Sequence, residues 1–175
     1  MHVHGRPNYR FCPLCGAGLK SLMLKENEPS RLVCSGCDFI FYQDPKLAAC
    51  SVVELDDKIV LLKRAIGPQL GKWVIPGGFV DQGEEVEAAA LRETEEECGL
   101  KTRIKNLLGV YSYDGRLVVV VVYVAERLSG DLIIGDETQE VRLYSQEEIP
   151  WNDLAFRSTV DALKDYYNMK GERSQ

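Results

Sequence analysis

Four cysteines near the N-terminus constrain the fold most strongly. Cys12 and Cys15 form one Cys-x-x-Cys pair, and Cys34 and Cys37 form a second pair after a gap of 18 residues. Thiolates at this spacing fit a closed tetrahedral Zn²⁺ site, which stabilises structure and does no chemistry. Two disulfides or four reduced thiols are the alternatives, but nothing in the sequence indicates secretion. We therefore expect a small N-terminal zinc ribbon over residues 9–42.

The remainder of the chain is long enough to form a domain with its own core. The 175 residues are 45% apolar and 27% charged, which is ordinary for a globular protein. Gln43-Asp44-Pro45 marks a boundary, because the residue before a proline is held in an extended conformation. We expect the second domain over residues 43–170.

Charge is distributed unevenly along the chain. The net charge is −6, with +2 on residues 1–42 and −8 on the rest. An acidic body is a poor surface for nucleic acid, so we expect no nucleic-acid partner. No apolar run reaches the ~18 residues needed to span a membrane. The first ten residues have no apolar stretch after their charges, so we expect no secretory signal and a cytoplasmic protein.

Strand-like and helical segments alternate in the body. Strands are expected at residues 46–54, 59–63, 73–75, 104–113, 117–126 and 142–144. Helices are expected at residues 84–98, ended by Gly99, and at residues 158–168, with Ser158 as N-cap and Asp161 in a capping box. This order predicts an α+β fold in which a mixed sheet has one helix on each face.

The first predicted helix places three carboxylates on one face. At 100° per residue, Glu96 and Glu97 fall within an arc of about 100° with Glu93, whereas Glu95 faces away. Like charges at i and i+4 are unfavourable, and so are acids at the negative end of the helix dipole. A divalent cation would reverse both penalties, and hard oxygen ligands suit Mg²⁺ or Mn²⁺. A solvated acidic face is the alternative.

The sequence around this helix resembles a known family signature. From Gly78 to Leu100 the chain reads G-x5-E-x7-R-E-T-x-E-E-x-G-L, which resembles the signature of the Nudix hydrolases. Every fixed position matches, and Thr94 stands where the family has an aliphatic residue. The resemblance extends over about residues 46–168. It implies an α/β/α sandwich with a mixed sheet, Mg²⁺ or Mn²⁺ as cofactor, and hydrolysis of a nucleoside diphosphate linked to another group.

The same resemblance implies roles for individual residues. The metal ligands would be Glu93, Glu96, Glu97 and the carbonyl of Gly77. Arg92 would hold these glutamates in place, and Glu84 would support the start of the helix. A further acidic residue often comes from a later loop. Glu137 and Glu140 are candidates for it, with a solvated turn as the alternative.

Two further residues are candidate substrate contacts. Phe79 follows the glycine loop and could stack on a base. Arg64 ends a strand beside the expected cleft, where a phosphate or a carboxylate partner is equally reasonable.

A zinc ribbon followed by such a domain resembles two groups of Nudix hydrolases. The NADH pyrophosphatases carry Ser-Gln-Pro-Trp-Pro-Phe-Pro-x-Ser after the signature. This chain has no such segment and no proline between residues 101 and 149, which also removes the usual ADP-ribose pyrophosphatase marker. The second group comprises FAD and ADP-ribose pyrophosphatases with an N-terminal ribbon. The segments that resemble this group are residues 12–37, 42–46, 71–79 and 149–156.

The second resemblance implies the class of substrate. ADP-ribose, FAD or a related dinucleotide or NDP-sugar would be cleaved to a nucleoside monophosphate and a second phosphate ester. The alternatives are a (d)NTP pyrophosphohydrolase and a non-catalytic nucleotide sensor that uses the ribbon for interactions. The intact signature favours an enzyme. A homodimer is expected because two-fold dimers are the commonest oligomers.

Overall fold

Two compact units make up the protein, one ending at Pro45 and the other beginning at Lys46. In this computed structural model, residues 9–173 are described. The first eight residues, on which the expectation about a secretory signal mainly rests, lie outside the described part. Within residues 9–173, no helix combines the length and the apolar character needed to cross a membrane.

The N-terminal unit is a small antiparallel sheet. Its strands are β1 (Leu19–Leu22), β2 (Arg31–Cys34) and β3 (Ile40–Phe41), with β2 in the centre. The sequence predicts short strands at residues 31–34 and 38–42 but not β1, and the second of them is shorter in the structure. Tyr9 packs edge-on against Phe41, with ring centroids 4.7 Å apart. Such a small unit buries too little apolar surface to be stable by packing alone.

The second unit is built on a seven-stranded mixed sheet. Its strands are β4 (Lys46–Leu55), β5 (Lys58–Arg64), β6 (Trp73–Val74), β7 (Gly77–Phe79), β8 (Lys101–Tyr111), β9 (Val118–Ser129) and β10 (Thr138–Tyr144). The order is β10-β5-β4-β9-β8, and β6 pairs with β5 while β7 pairs with β4. Strands β4 and β9 are parallel, and all other pairs are antiparallel. The predicted mixed sheet is confirmed.

Strands β4 and β5 diverge after the turn that joins them. They pair only beside that turn, where Asp56 and Asp57 both have positive φ angles. Beyond it, β7 lies alongside β4, with Cys50 opposite Gly77. Glycine has low strand propensity, so the sequence does not predict β7. This insertion fixes the two glycines of the Gly77–Phe79 strand within the sheet.

One helix covers each face of the sheet. The helices are α1 (Val86–Cys98) and α2 (Arg157–Arg173). On one face α1 buries Ala89 and Ala90, and on the other α2 buries Leu163 and Tyr166. Two short 3-10 helices, Gln146–Glu148 and Trp151–Asp153, precede α2. The predicted α/β/α arrangement is confirmed.

Both helices begin at residues other than those predicted. Helix α1 begins at Val86, because Glu85 is still extended, with φ −70° and ψ 139°. Helix α2 begins at Arg157, so Ser158 lies inside it and the predicted N-cap is wrong. The side chain of Asp161 is not part of a capping box but accepts a hydrogen bond of 2.8 Å from the hydroxyl of Tyr113.

Glu54 links three elements of the second unit. Its carboxylate accepts hydrogen bonds of 2.7 Å from the Tyr166 hydroxyl of α2 and from the Lys105 ammonium of β8. The ammonium of Lys170 lies 3.8 Å away. Burial raises the pKa of Glu54, but the hydrogen bonds from Lys105 and Tyr166 outweigh it, and the pKa lies below its ordinary value.

We predict that Glu54→Gln lowers the free energy of unfolding by about 1 kcal/mol at pH 7, because charge-assisted hydrogen bonds are lost. A lowered pKa gives stability that is fully present above the ordinary pKa of about 4.3, begins to decline below it, and is lost as the pH falls through the lower pKa of the folded state. The difference from the wild type should therefore shrink at pH 3.5. Urea unfolding at pH 7 and at pH 3.5 measures this difference in the free energy of unfolding. Exposed Glu147→Gln is the control, and an undiminished difference at pH 3.5 would contradict this assignment.

Candidate functional site

The guanidinium of Arg92 organises the carboxylates of α1. It forms a two-pronged pair with Glu84 at 2.8 and 3.0 Å. Its Nη1 donates to Glu93 at 2.8 Å and to Glu96 at 3.1 Å, and Nη2 donates to the carbonyl of Phe79 at 3.3 Å. The hydrogen bonds from Arg92 lower the pKa of Glu84 to about 2. Arg92 thus connects β7 to α1 and binds the carboxylates of three glutamates.

Glu97 is the most deeply placed glutamate of the set. Its Oε2 accepts a hydrogen bond of 2.8 Å from the backbone N–H of Gly77. Burial, followed by the charges of Glu93 and Glu137, raises the pKa of Glu97 to about 7, although Gly77 and Arg64 act in the opposite direction. The surroundings of Glu97 therefore disfavour its charged form, mainly because the carboxylate is removed from water.

Close contact between the glycine loop and the helix requires glycine. A Cβ at Gly78 would lie 2.5 Å from both carboxylate oxygens of Glu93. A Cβ at Gly77, whose φ is +149°, would lie 2.5 Å from the carbonyl oxygen of Ala49. Burial raises the pKa of Glu93 despite its bond to Arg92. The carboxylates of Glu93 and Glu97 thus lie against the backbone of Gly78 and Gly77, and only the first of them binds the Arg92 guanidinium among the contacts described.

This environment fits a hard divalent cation. Buried carboxylates with raised pKa values are stabilised by added positive charge, and oxygen ligands are those that Mg²⁺ and Mn²⁺ prefer. Within residues 9–173, the glutamate oxygens do not converge as tightly as the cysteine sulfurs do. Instead they are engaged by Arg92 and by the N–H of Gly77. Glu95 faces away and lies 3.6 Å from Lys101, as the helical periodicity predicts.

The two candidate residues of the later loop are placed differently. The charge of exposed Glu137 acts on both Glu97 and Arg64. Glu140 instead lies on β10, where its carboxylate pairs with Arg142 and lies 3.8 Å from Lys63. The structure therefore brings Glu137, and not Glu140, together with the glutamates of α1.

Arg64 and Phe79 both border the glutamates. Arg64 donates from Nε to the carbonyl of Pro68 at 2.9 Å, and its guanidinium lies 5.2 Å from the ring centroid of Phe156. Burial lowers the pKa of Arg64, although the charge of Glu97 opposes this. The ring of half-buried Phe79 lies 5.4 Å from the ammonium of Lys46. Arg64 is thus electrostatically coupled to Glu97, and the carbonyl of Phe79 accepts a hydrogen bond from Arg92.

Cys50, which lies in the predicted strand over residues 46–54, is next to the site in the structure. Its sulfur would lie 2.5 Å from a Cβ at Gly77. Burial, followed by the charges of Glu97 and Glu93, raises the pKa of Cys50 to about 12, so it is a neutral thiol. Because no spacing rule relates residue 50 to the signature, no sequence signal could have shown this contact.

The four predicted cysteines of the N-terminal unit meet in one cluster. Their sulfurs all lie within 4.8 Å of one another, and none forms a disulfide. The Cys15–Cys34 and Cys12–Cys37 sulfur pairs are 3.4 and 3.8 Å apart. Sulfurs at the corners of a tetrahedron around Zn²⁺ would be about 3.8 Å apart. The N–H of Gly36 is the main cause that lowers the pKa of Cys34 to about 6, whereas the N–H of Phe39 lowers the pKa of Cys37 but is outweighed by hydrogen bonds with the neighbouring sulfurs, which raise that pKa to about 12.

Comparison with known families decides the assignment. The sequence model of the NUDIX domain matches residues 44–163. The chain belongs to the Nudix hydrolase family. The model of the Nudix N-terminal zinc ribbon matches residues 10–43. The predictions of a Nudix fold, of an enzyme and of an N-terminal zinc ribbon are confirmed.

Similar proteins agree with the Nudix assignment. An ADP-ribose pyrophosphatase of Methanocaldococcus jannaschii is 38% identical over 133 residues, which cover 74% of this chain and 77% of that protein. A NAD-capped RNA hydrolase NudC of Escherichia coli O9:H4 (strain HS) is 30% identical over 82% of this chain and 54% of that protein, so the chain spans about half its length. A crystal structure of a NUDIX hydrolase from Nitrosomonas europaea has a TM-score of 0.88 and 37% identity, covering 94% of this chain and 93% of that one.

We predict that the purified Nudix protein contains one Zn²⁺ per chain and that Cys37→Ser removes it, because a tetrahedral site loses a ligand. Inductively coupled plasma mass spectrometry measures the metal content. Buried Cys98→Ala is the matched control, since Cys98 donates to the carbonyl of Thr94 and lies outside the cluster. Equal zinc in Cys37→Ser and wild type would disprove the prediction.

Proposed function

We propose that this protein hydrolyses the pyrophosphate bond of ADP-ribose, FAD or a related dinucleotide or NDP-sugar, with Mg²⁺ or Mn²⁺ as cofactor. The observation that carries the proposal is the half-buried carboxylate pair of Glu93 and Glu97 on α1, in which the Arg92 guanidinium binds Glu93 and the N–H of Gly77 binds Glu97. Bound cations would stabilise the charged forms of these two carboxylates, whose pKa values are raised by burial. A diphosphate with divalent cations brings the missing charge.

The relatives support this class of substrate. The Methanocaldococcus jannaschii protein is named for ADP-ribose, and this chain matches 77% of its length. The absence of a proline between residues 101 and 149 argues against ADP-ribose, but the identity to a relative named for ADP-ribose outweighs it. FAD and NDP-sugars share the diphosphate that the glutamates would face.

We assign the roles as follows. Glu93, Glu96 and Glu97, with the carbonyl of Gly77, would hold the metal. The bound metal would supply positive charge that stabilises the negative charge developing on the diphosphate. Arg92 keeps Glu93 and Glu96 in place, and the N–H of Gly77 fixes Oε2 of Glu97 so that its other oxygen can face the site.

The reaction adds one water across one bond. The P–O–P linkage breaks, oxygen from water bonds to one phosphorus, and two phosphate monoesters leave. One glutamate of the signature orients the water. Exposed Glu137 adds a further carboxylate at the same site, and Arg64 and Phe79 would contact a phosphate and a base.

NAD-capped RNA is a second candidate substrate. It is favoured by the 30% identical NudC relatives, which are named for it. The chain lacks the proline-rich segment described above, and residues 43–175 have a net charge of −8, which disfavours RNA. An enzyme for a (d)NTP would need the same metal ligands and would differ only in its base pocket.

The wider organisation is part of the same proposal. We assign a ribbon with structural Zn²⁺ on Cys12, Cys15, Cys34 and Cys37 to residues 9–42, and the hydrolase domain to residues 43–170. We place the protein in the cytoplasm as a homodimer, without a membrane or nucleic-acid partner. Light scattering coupled to size exclusion measures the dimer.

We predict that Glu97→Gln lowers kcat about 100-fold or more with Mg²⁺ or Mn²⁺, because a ligand charge in a preorganised site is lost. The amide can still accept the N–H of Gly77, so the melting temperature without Mg²⁺ or Mn²⁺ should not fall. Glu95→Gln is the matched control on the same helix, since Glu95 is exposed and faces Lys101. Wild-type turnover by Glu97→Gln would overturn the role of Glu97.

We predict that a product screen with Mg²⁺ and Mn²⁺ shows AMP released from ADP-ribose or FAD faster than from NADH, and little release from dNTPs or NAD-capped RNA. Chromatography of the products identifies the substrate. Glu97→Gln run in parallel shows whether release belongs to this site. If NAD-capped RNA is cleaved faster than ADP-ribose, NAD-capped RNA would be the preferred substrate. If none of the tested compounds releases a monophosphate, the result would favour a nucleotide sensor.

A further inference from the structure

The C-terminal end of α1 is capped by a distant part of the chain. The last carbonyls of a helix have no partner within it. Gly99, at φ +75°, supplies one N–H to the carbonyl of Glu95 at 2.8 Å. Two other carbonyls at this end receive donors from residues 131–138, which we call the capping segment. The N–H of Ile133 donates to Cys98 at 3.1 Å.

Glu97 receives two donors from the capping segment on its backbone carbonyl. The N–H of Gly135 lies 3.2 Å away and the hydroxyl of Thr138 lies 3.3 Å away. Thr138 is only 6% exposed, so a lost bond there is not replaced by water without cost. The backbone of a proposed metal ligand is therefore fixed from outside its own helix.

Gly135 leaves no space between the capping segment and the helix. A Cβ there would collide with the carbonyl oxygen of Glu96 and would lie 3.0 Å from the Cα of Glu97. The φ of Gly135 is outside the positive range, so alanine would face this collision and no backbone strain. A methyl group at residue 135 should therefore push on the helix turn that carries two of the glutamates.

The capping segment is also held on its other side. The N–H of Ala65, just after β5, donates to the carbonyl of Glu137 at 2.8 Å. Thr138 begins β10 and pairs with Arg64 of β5, and its N–H donates to the carbonyl of Gly135 at 3.0 Å. The segment thus joins the end of β5 to the end of α1 and places Glu137 between them.

We propose that Gly135 and Thr138 are positioning residues, which set the place of Glu97 and thereby the affinity of the site for its divalent cation. This inference rests on the proposed function, because it takes Glu97 to be a metal ligand. The side chain of Glu97 is fixed by Gly77 and its backbone by Gly135 and Thr138. Groups that orient ligands typically change metal affinity about 10- to 100-fold when they are lost.

The test uses the full-length, zinc-loaded chain and Mn²⁺ alone as the probe. Thr138→Val removes the hydroxyl with little change in volume, and Thr138→Ser retains the hydroxyl. Gly135→Ala adds the colliding methyl group. Gly171→Ala is the matched control, because a Cβ there meets nothing within 4 Å. Electron paramagnetic resonance of free Mn²⁺ gives the Kd, and the melting temperature is measured in parallel.

We expect the Kd for Mn²⁺ to rise about tenfold in Thr138→Val and in Gly135→Ala, and to stay near the wild-type value in Thr138→Ser and Gly171→Ala. A lower melting temperature with an unchanged Kd in Thr138→Val would overturn the inference, because the segment would then only stabilise the fold. This holds even if Gly135→Ala does not fold. A wild-type chain that neither binds Mn²⁺ nor cleaves any diphosphate would instead overturn the proposed function itself.

Discussion

The crowding of negative charge on the last turns of α1 is the constraint on which the rest of the site depends. Glu93, Glu96 and Glu97 lie at the end of a helix where the dipole already disfavours acids. Arg92 reaches two of them and Glu84, and no Lys or Arg lies in the last turn of α1. An isolated helix with this charge distribution would have low stability. It is tolerated because its other face packs Ala89 and Ala90 on the sheet and because bound cations would compensate the acids.

The sheet creates this crowding by its irregular centre. Strands β4 and β5 separate, and the short β7 fills the space beside β4. Its two glycines let the backbone approach α1 so closely that a Cβ at Gly78 would overlap the carboxylate of Glu93. The N–H of Gly77, which points toward the helix, then becomes a donor to Glu97. Because β7 has glycines at residues 77 and 78, its backbone faces α1 where other residues would place side chains.

The sequence predicts those parts of the site that follow a short repeat. Helical periodicity separates Glu95 from the other glutamates, and cysteine spacing identifies the four-sulfur cluster. Contacts between distant segments follow no such repeat. The hydroxyl of Thr138 donates to the carbonyl of Glu97, which is 41 residues away in the sequence. Cys50 lies opposite Gly77 because β4 and β7 pair. The predicted N-cap at Ser158 is wrong because α2 begins one residue earlier, at Arg157, and the carboxylate of Asp161 accepts hydrogen bonds from Tyr113 and Arg157 instead.

The proposed metal ligands form two groups, cysteine thiolates and glutamate carboxylates, which differ in softness, and this difference would determine which metal binds at each site. Zn²⁺ binds both thiolates and carboxylates more tightly than Mg²⁺ or Mn²⁺ does, so affinity alone would place it at both sites. Four thiolates form a closed site whose sulfur spacing suits Zn²⁺. The glutamates offer only hard oxygens in a partly open site, where an ion that keeps its waters and accepts phosphate oxygens is favoured. A chain with this donor distribution can hold zinc for structure while its glutamates remain available to the ions that accompany nucleotides.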